Sequence, residues 1–274
     1  MDSVTSSTAV IDLLRGTPFT VLTGAGLSTD SGIPDYRGPS ARPRTPMTYQ
    51  QFVSDEAFRR HYWARNHVGY RHMRSVEPNE GHRVLARLEA RGLATGVITQ
   101  NVDLLHERAG SNRVIDLHGR SDTVICLDCG TRISRAHMQV RLDLANPGFD
   151  VAVSDVEIAP DADAVLTQTE DFVVPPCAVC GGMLKPDVVY FGENVPKQRV
   201  ADAYALVDRG GAFLALGTSL AVMSGLRFVR HAVRHGIAVA IVNRGETRGD
   251  ELATVKLEAG TTPTLLELEA ALAG

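Results

Sequence analysis

An α/β fold, built on a doubly wound parallel sheet with a smaller lobe inserted into it, is the architecture this sequence predicts. Three observations predict it. Short apolar, β-branched runs recur along the 274 residues and end in small or polar residues. Segments with helical spacing separate them. Two Cys-x-x-Cys knuckles, Cys126/Cys129 and Cys177/Cys180, interrupt the pattern and use all four cysteines of the chain.

The predicted strands are Phe19–Thr23, Gly96–Thr99, Val114–Leu117, Ala212–Leu216 and Ala238–Val242, with Thr254–Leu257 as a late addition. Apolar runs of this kind, bounded by turn residues and separated by helical patterns, suggest buried parallel strands in an α/β sheet. Helices are predicted over His82–Arg91, which stops at Gly92, over Val222–His235 and over Pro263–Leu272. The turns after the strands carry Gly24-Ala25-Gly26, Gln100-Asn101, His118-Gly119, Gly217-Thr218-Ser219 and Asn243. Ligands of open α/β sheets bind outside the carboxyl ends of the strands, so these five turns are expected to converge on one crevice.

Two segments break the alternation. Residues 39–73 are rich in Arg, His and aromatics, with a helix expected over Phe58–His67. Residues 123–183 carry the knuckles and look poor in periodic hydrophobic structure. Four thiolates can close a tetrahedral site around one Zn²⁺, leaving no position for water, so the expected metal is structural. A redox or disulfide pair is the rival reading, weakened by the lack of any other cysteine or secretory signal. Between Asp150 and Asp171 stand seven acids and no Lys or Arg. That stretch reads either as a solvated loop or as a surface attracting basic protein substrates.

Composition narrows the function classes. At 44% hydrophobic the chain can bury a large core. A net charge of −4 argues against a phosphate-backbone binder, which needs a basic face. No run has the apolar length of a membrane span, and Met1–Thr8 lacks a charged n-region before an apolar stretch, so the expected location is cytoplasmic.

The glycine turn after the first strand reads G-x-G-x-x-T, a weak dinucleotide signal, and the acid expected about 20 residues on is missing. The loop Gly32-Ile-Pro-Asp-Tyr-Arg-Gly38 stands in its place, which argues against a dehydrogenase. Taken with Gly24-Ala-Gly-x-Ser28, Thr99-Gln-Asn-Val-Asp-x-Leu-His106, Leu117-His-Gly119, Lys185-Pro-Asp-Val-Val-Tyr-Phe-Gly-Glu193, Gly217-Thr-Ser-Leu220, Val242-Asn243 and the doubled knuckle, the chain resembles the sirtuins from about residue 17 onward. Tyr62-Trp-Ala-Arg-Asn66, Cys126-Leu-Asp-Cys129-Gly and Lys185-Pro-Asp-Val-Val look most like their class II, sirtuin 4-like branch.

That resemblance implies an NAD-dependent protein-lysine deacetylase or deacylase acting on acylated-lysine proteins. Its domains would be a Rossmann-like NAD-binding part (1–38, 74–122 and 184–274), a helical insertion (39–73) and a zinc module (123–183). The acyl oxygen would attack the ribose C1′ as nicotinamide leaves, His118 would activate a ribose hydroxyl as general base, and water would complete transfer to O-acyl-ADP-ribose. Gln100 and Asn101 would hold the nicotinamide ribose and a water, and Asp103 the carboxamide. Gly24, Ala25, Gly26, Ser28, Asp35, Tyr36 and Arg37 would form the cofactor loop, with Arg37 near the phosphates and Tyr36 over the reactive carbon. Gly217, Thr218, Ser219 and Asn243 would hold the adenosine half. Val188, Val189, Tyr190, Phe191 and Gly192 would offer an extended edge to a substrate peptide. Tyr62 and Arg65 have the Tyr-x-x-Arg spacing that meets carboxylated acyl groups in class III enzymes, here on an expected helix where i and i+3 share a face.

One departure is noted: many sirtuins have Pro-Ala or Pro-Pro after the Gly-Thr-Ser-Leu turn, where this chain has Met223-Ser224-Gly225. Two other functions stay open. Mono-ADP-ribosyl transfer would use the same crevice and label protein from adenine-labelled NAD. A non-catalytic NAD-sensing protein would tolerate loss of His118.

Overall fold

The computed structural model describes residues 7–36, 46–149 and 169–273. Its strands are β1 (Phe19–Thr23), β2 (Ala94–Thr99), β3 (Val114–Asp116), β4 (Gly119–Cys126), β5 (Arg132–Ser134), β6 (Leu184–Val188), β7 (Ala212–Leu216), β8 (Ala238–Val242) and β9 (Val255–Leu257). The helices are α1 (Ser7–Leu14), α2 (Ala25–Ser28), α3 (Tyr49–Ser54), α4 (Glu56–Ser75), α5 (Glu80–Ala90), α6 (Leu105–Arg108), α7 (Arg135–Ala145), α8 (Lys197–Val207), α9 (Met223–Arg234) and α10 (Thr261–Ala271). None of these helices is long and apolar enough to cross a membrane.

Six strands form one parallel sheet in the order β3-β2-β1-β7-β8-β9. Each strand sends alternate residues to opposite faces. From β7, Ala212, Leu214 and Leu216 enter the core under α1, α5 and α10, while Phe213 and Ala215 enter the core under α8 and α9. From β8, Ala240 and Val242 join the first core, Val239 and Ile241 the second. Both faces are covered, which is why these strands read as unbroken apolar runs. A fully buried Leu, Val or Phe contributes about 1.5–3 kcal/mol, so the two cores fix the sheet. The strand order reverses between β1 and β7: the chain leaves β1 toward one edge and returns at β7 toward the other.

The small lobe has its own core. Phe52, Tyr62 and Trp63 of α3 and α4 pack with Val124, Cys126, Met138, Leu142, Phe172, Cys177 and Leu184. The two sequence insertions therefore share one interior. Helix α4 starts where Asp55 Oδ1 caps it through Ala57 N and Phe58 N, and it runs past the expected His67 to Ser75 because its buried face continues through Tyr70 and Met73. Arg135 anchors it. The guanidinium is buried, bonds Asn66 Oδ1 and O and Gln139 Oε1, and lies 4.3 Å over the Tyr70 ring. Sheet β5-β4-β6 is antiparallel and completes the lobe.

The expectation that residues 123–183 are poor in periodic hydrophobic structure is corrected in part. Helix α7 lies there with Met138 and Leu142 buried, and Ser134 Oγ caps it through His137 N. The small sheet also begins at Gly119 and ends at Val188, beyond both expected edges of the module. The acidic stretch over 150–168 lies outside the described residues.

Two buried histidines brace the end of β1. His82 of α5 and His106 of α6 pack edge to face, centroids 4.9 Å apart. Thr23 Oγ1 donates its only proton to Thr99 Oγ1, so at 2.9 Å it accepts from His106 Nε2. Among the described residues neither ring nitrogen of His82 has a hydrogen-bond partner. Burial pushes the His82 pKa down to about 3 and that of His106 well below its ordinary value. A histidine kept neutral by folding titrates in the unfolded chain near 6.5, so its stabilisation is complete above that pH and is lost as pH falls from about 6.5 toward 3. Urea unfolding at pH 7 and pH 5 should show this: wild type loses about 2 kcal/mol more stability than His82→Phe between the two. Equal pH slopes would refute it.

Candidate active site

The site begins where the sheet reverses. Gly24 and Gly26 follow β1, Gly217 follows β7, and the two turns interlock. Gly24 N donates to Leu216 O at 3.1 Å, Gly26 N to Gly217 O at 2.9 Å, and Gly217 N to Val242 O at 2.9 Å. There is no room for side chains between them. A Cβ at Gly24 would lie 2.7 Å from Thr218 Cβ, and one at Gly26 2.9 Å from Gly217 Cα. Gly217 has φ +57°, and a Cβ there would meet Leu27 N at 2.5 Å. These glycines allow two strand ends to approach at a switch point, the position where dinucleotides bind in such sheets.

A cavity of about 500 Å³ opens over the turns and extends to the small lobe. Gly24, Ala25, Gly26, Ser28, Asp35, Tyr36, Gln100, Asn101, Asp103, His118, Gly217, Thr218, Ser219 and Asn243 all line it. So do Val188, Val189, Tyr190, Phe191, Gly192 and Tyr62. Arg37 lies outside the described residues. The size, the glycine-lined floor and the row of hydroxyl, amide and carboxyl groups fit a bound dinucleotide.

The polar wall is cross-linked. Gln100 N and Nε2 donate to Thr23 O, and Nε2 also donates to Thr218 Oγ1 at 2.9 Å. Asn101 Nδ2 donates to Gly24 O and Ser28 Oγ, both at 3.1 Å. Ser28 Oγ in turn donates to Asp103 Oδ2 at 2.7 Å, while Leu105 N donates to Oδ1. Asp103 is buried, and burial raises its pKa against the pull of these two bonds. It therefore joins the local turn before α6 to the cavity floor. Asn243 Nδ2 donates to Arg244 O and Gly245 O, shaping its own loop at the far end.

His118 stands between the large sheet and the small lobe. Gly119, at φ +90°, makes this possible: a Cβ there would fall 2.0 Å from Asp187 O. The backbone can then pair with β6, and Val189 N donates to His118 O at 2.7 Å. The imidazole Nδ1 lies 3.0 Å from Gln100 O and Nε2 lies 2.8 Å from Ser224 Oγ. Burial, reinforced by the cationic Arg199 and Arg227 and only partly offset by the Gln100 carbonyl, pushes its pKa down to about 4. The ring is neutral at pH 7, so Nε2 is an acceptor throughout the physiological range.

The expected extended edge is shorter than its motif. Only Val188 belongs to β6, and Val189 follows it against His118. Beyond, the chain turns: Glu193 N donates to Tyr190 O, Gly192 has φ +80°, and Phe191 bridges to Thr48. The turn is held by an ion pair. Lys185 Nζ, almost fully buried, lies 3.1 Å from Glu193 Oε2 and 4.4 Å over the Tyr190 ring. Glu193 Oε2 also accepts from Tyr190 N. Tyr36 meets Phe191 edge-on at 6.3 Å.

Tyr62 and Arg65 are not brought together at the cavity. Tyr62 packs on Phe52 and Tyr190 and lines it; Arg65 does not. The Arg65 Nη1 lies 3.3 Å from His61 Nε2, one turn back on α4, and His61 faces Thr169. The face shared at i and i+3 spans enough arc to place one side chain inside and the other outside. Ser224 was visible in the sequence only as a departure from proline, with no signal of its contact to His118. Lys185 and Glu193 appeared only as letters of a motif.

The four cysteine sulfurs lie within 4.8 Å of one another, Cys126–Cys180 at 3.5 Å and Cys129–Cys177 at 3.8 Å. A tetrahedral Zn²⁺ with about 2.3 Å bonds needs sulfurs about 3.8 Å apart, so the donor set fits one closed zinc site. Cys126 and Cys177 belong to the small-lobe core, and none of the four lines the cavity. The metal is structural. Trp63, the single tryptophan, is fully buried in the same core and donates to Leu184 O. Stripping zinc with a chelator should therefore red-shift its emission, because the binding free energy of such a site is folding free energy. Quantitative metal removal with unchanged emission would contradict a structural role.

Comparison with known proteins agrees with this geometry. The Sir2 family model matches residues 24–224. The chain is 58% identical to NAD-dependent protein deacetylase 1 of Mycobacterium avium (strain 104), over 94% of this chain and 93% of that protein. It is 53% identical to NAD-dependent protein deacetylase 1 of Streptomyces coelicolor (strain ATCC BAA-471 / A3(2) / M145), over 93% and 86%. Among solved structures it is similar to a Sir2 protein in complex with the inhibitor EX-527, 2′-O-acetyl-ADP-ribose and a deacetylated p53 peptide, with TM-score 0.74 and 31% identity, covering 97% of this chain and 99% of the other. A Sir2–p53 peptide–NAD⁺ complex gives TM-score 0.74 and 30% identity, over 97% and 98%. The interlocked glycine turns, the histidine beside the small lobe and the four-cysteine site thus belong together: the chain is a member of the Sir2 family.

Proposed function

We propose that this chain is an NAD-dependent protein-lysine deacetylase, converting NAD and an acetyl-lysine protein to nicotinamide, O-acetyl-ADP-ribose and free lysine. One observation carries the reading. The glycine turns, Asn101, Asp103 and His118 line a single cavity that also receives the backbone of Val188 and Val189. Bound there, the dinucleotide supplies an electrophilic ribose carbon and a hydroxyl to be activated.

The protein's own groups fit the remaining tasks. The edge at Val188 and Val189 offers main-chain hydrogen bonds to an extended peptide, next to the His118 backbone. Tyr190 and Phe191 enclose the lysine side chain, and the Lys185–Glu193 pair keeps their turn in place. Asp103, oriented by Ser28 and Leu105 N, accepts from the nicotinamide carboxamide. Asn101, tied to Gly24 O, holds the ribose. His118 is neutral, so Nε2 removes the proton of a ribose hydroxyl without first having to lose one. Wall residues of the cavity exclude bulk water from the reacting carbon.

Within the family, Tyr62-Trp-Ala-Arg-Asn66, Cys126-Leu-Asp-Cys129-Gly and Lys185-Pro-Asp-Val-Val favour the class II branch. Arg65 faces His61 rather than the cavity, which favours acetyl and other neutral acyl groups over carboxylated ones.

Mass spectrometry of an acetyl-lysine peptide incubated with NAD should show the peptide losing 42 Da as O-acetyl-ADP-ribose forms. His118→Ala should lower turnover by roughly 10²-fold or more while NAD affinity stays within a few-fold, the size expected for a general base. ADP-ribose on the protein with no deacetylated peptide, or full activity in His118→Ala, would overturn the reading.

A further inference from the structure

Both nitrogens of the His118 ring are held by protein atoms, and one of these belongs to no motif of the sequence. A backbone carbonyl can only accept, so the 3.0 Å contact between Nδ1 and Gln100 O places the ring proton on Nδ1. The Nε2 lone pair then faces Ser224 Oγ at 2.8 Å, and the hydroxyl donates to it. Neither support is free to drift. Gln100 is tied to Thr23 O through its backbone and side chain, and to Thr218 Oγ1. Ser224 lies in the first turn of α9, whose Leu226, Phe228 and Val229 are buried under the sheet. The next residue must be small: a Cβ at Gly225 would lie 2.7 Å from Gln100 Oε1. The Ser-Gly pair thus brings a helix and the Gln100 side chain together at the histidine.

We infer that Ser224 relays the substrate proton to the general base: its hydroxyl, already donating to Nε2, passes that proton on as it takes one from the substrate hydroxyl, and then accepts from Nε2–H once the ring is charged. The inference rests on His118 being that base. The proton balance is simple. The substrate hydroxyl O–H breaks as its proton goes to Ser224 Oγ, the serine's own proton passes to Nε2, and the new N–H donates back to Oγ. A hydroxyl serves both states because it has one donor and two lone pairs. Alanine serves neither, and leaves a half-buried imidazolium without its partner. This role explains why the chain departs at Met223-Ser224-Gly225 from the proline common in the family.

The ¹⁵N resonances of the His118 ring and steady-state kinetics test it together. Wild type should show a protonated Nδ1 and an Nε2 resonance shifted upfield by an accepted hydrogen bond. In Ser224→Ala that resonance should move toward the value of an unbonded, pyridine-type nitrogen. Its kcat should fall about 10- to 100-fold, the size of a hydrogen bond to a charged group, with KM for NAD within about three-fold. Ser224→Thr, which keeps the hydroxyl, should recover kcat to within about three-fold of wild type. A purely structural role would instead raise KM and lower Tm with the Nε2 resonance unmoved. A wild-type ring protonated at Nε2, which needs no variant to detect, overturns the inference. So does Ser224→Ala with kcat within two-fold of wild type or an unshifted Nε2. His118→Ala separates the two levels: if it is active, the base assignment itself falls. If it is inactive while Ser224→Ala is fully active, only the role of Ser224 falls.

Discussion

The site depends on one constraint: two strand ends, β1 and β7, must approach closely enough for their following turns to bond each other. Gly24, Gly26 and Gly217 allow that approach, and two backbone hydrogen bonds, Gly24 N to Leu216 O and Gly26 N to Gly217 O, hold it. Everything polar in the cavity is referenced to this contact. Gln100 reaches Thr23 O and Thr218 Oγ1 across it, and Asn101 reaches Gly24 O. Ser28 then passes the register on to Asp103. Wrong spacing of the turns would displace each of these groups, and a misplacement of about 1 Å can cost about 10² in rate.

The second lobe is joined to the first through His118. Gly119 lets the chain pass within van der Waals reach of Asp187 and enter β4, so the histidine sits on the boundary of two independently packed cores. One of those cores encloses two of the zinc ligands. Metal binding is therefore coupled to the position of β6 and of the peptide edge without taking part in the chemistry. The buried histidine pair behind β1 and the Lys185–Glu193 pair beside Tyr190 serve the same end: each supports a cavity wall, and Glu193 also belongs to the lining.

The sheet was legible because strands buried on both faces carry a dense apolar and β-branched signal. Three of its strands, Phe19–Thr23, Ala212–Leu216 and Ala238–Val242, begin and end where the residue pattern places them. Helices α1, α7 and α8 were not legible: α7 is amphipathic only weakly, inside a segment dominated by its cysteines, and its stability comes from Met138 and Leu142 joining the small-lobe core. For the site, glycines and short polar motifs at strand ends identified nearly every lining residue. Contacts between distant segments stayed hidden, because no local pattern encodes them. Ser224 touches His118 across 106 positions, and Arg65 turns toward His61 for reasons set by packing of α4. The low pKa of His118 was hidden for the same reason, since burial is a property of the assembled wall.

Calorimetric titration of NAD into Gly26→Ala tests the central claim most directly. A Cβ at this position meets only the backbone of Gly217, so the two turns must separate while the zinc lobe is untouched. The account predicts at least a tenfold loss of NAD affinity, about 1.4 kcal/mol, with one zinc retained per chain and the Trp63 emission of wild type. Wild-type affinity in a folded Gly26→Ala protein would contradict it.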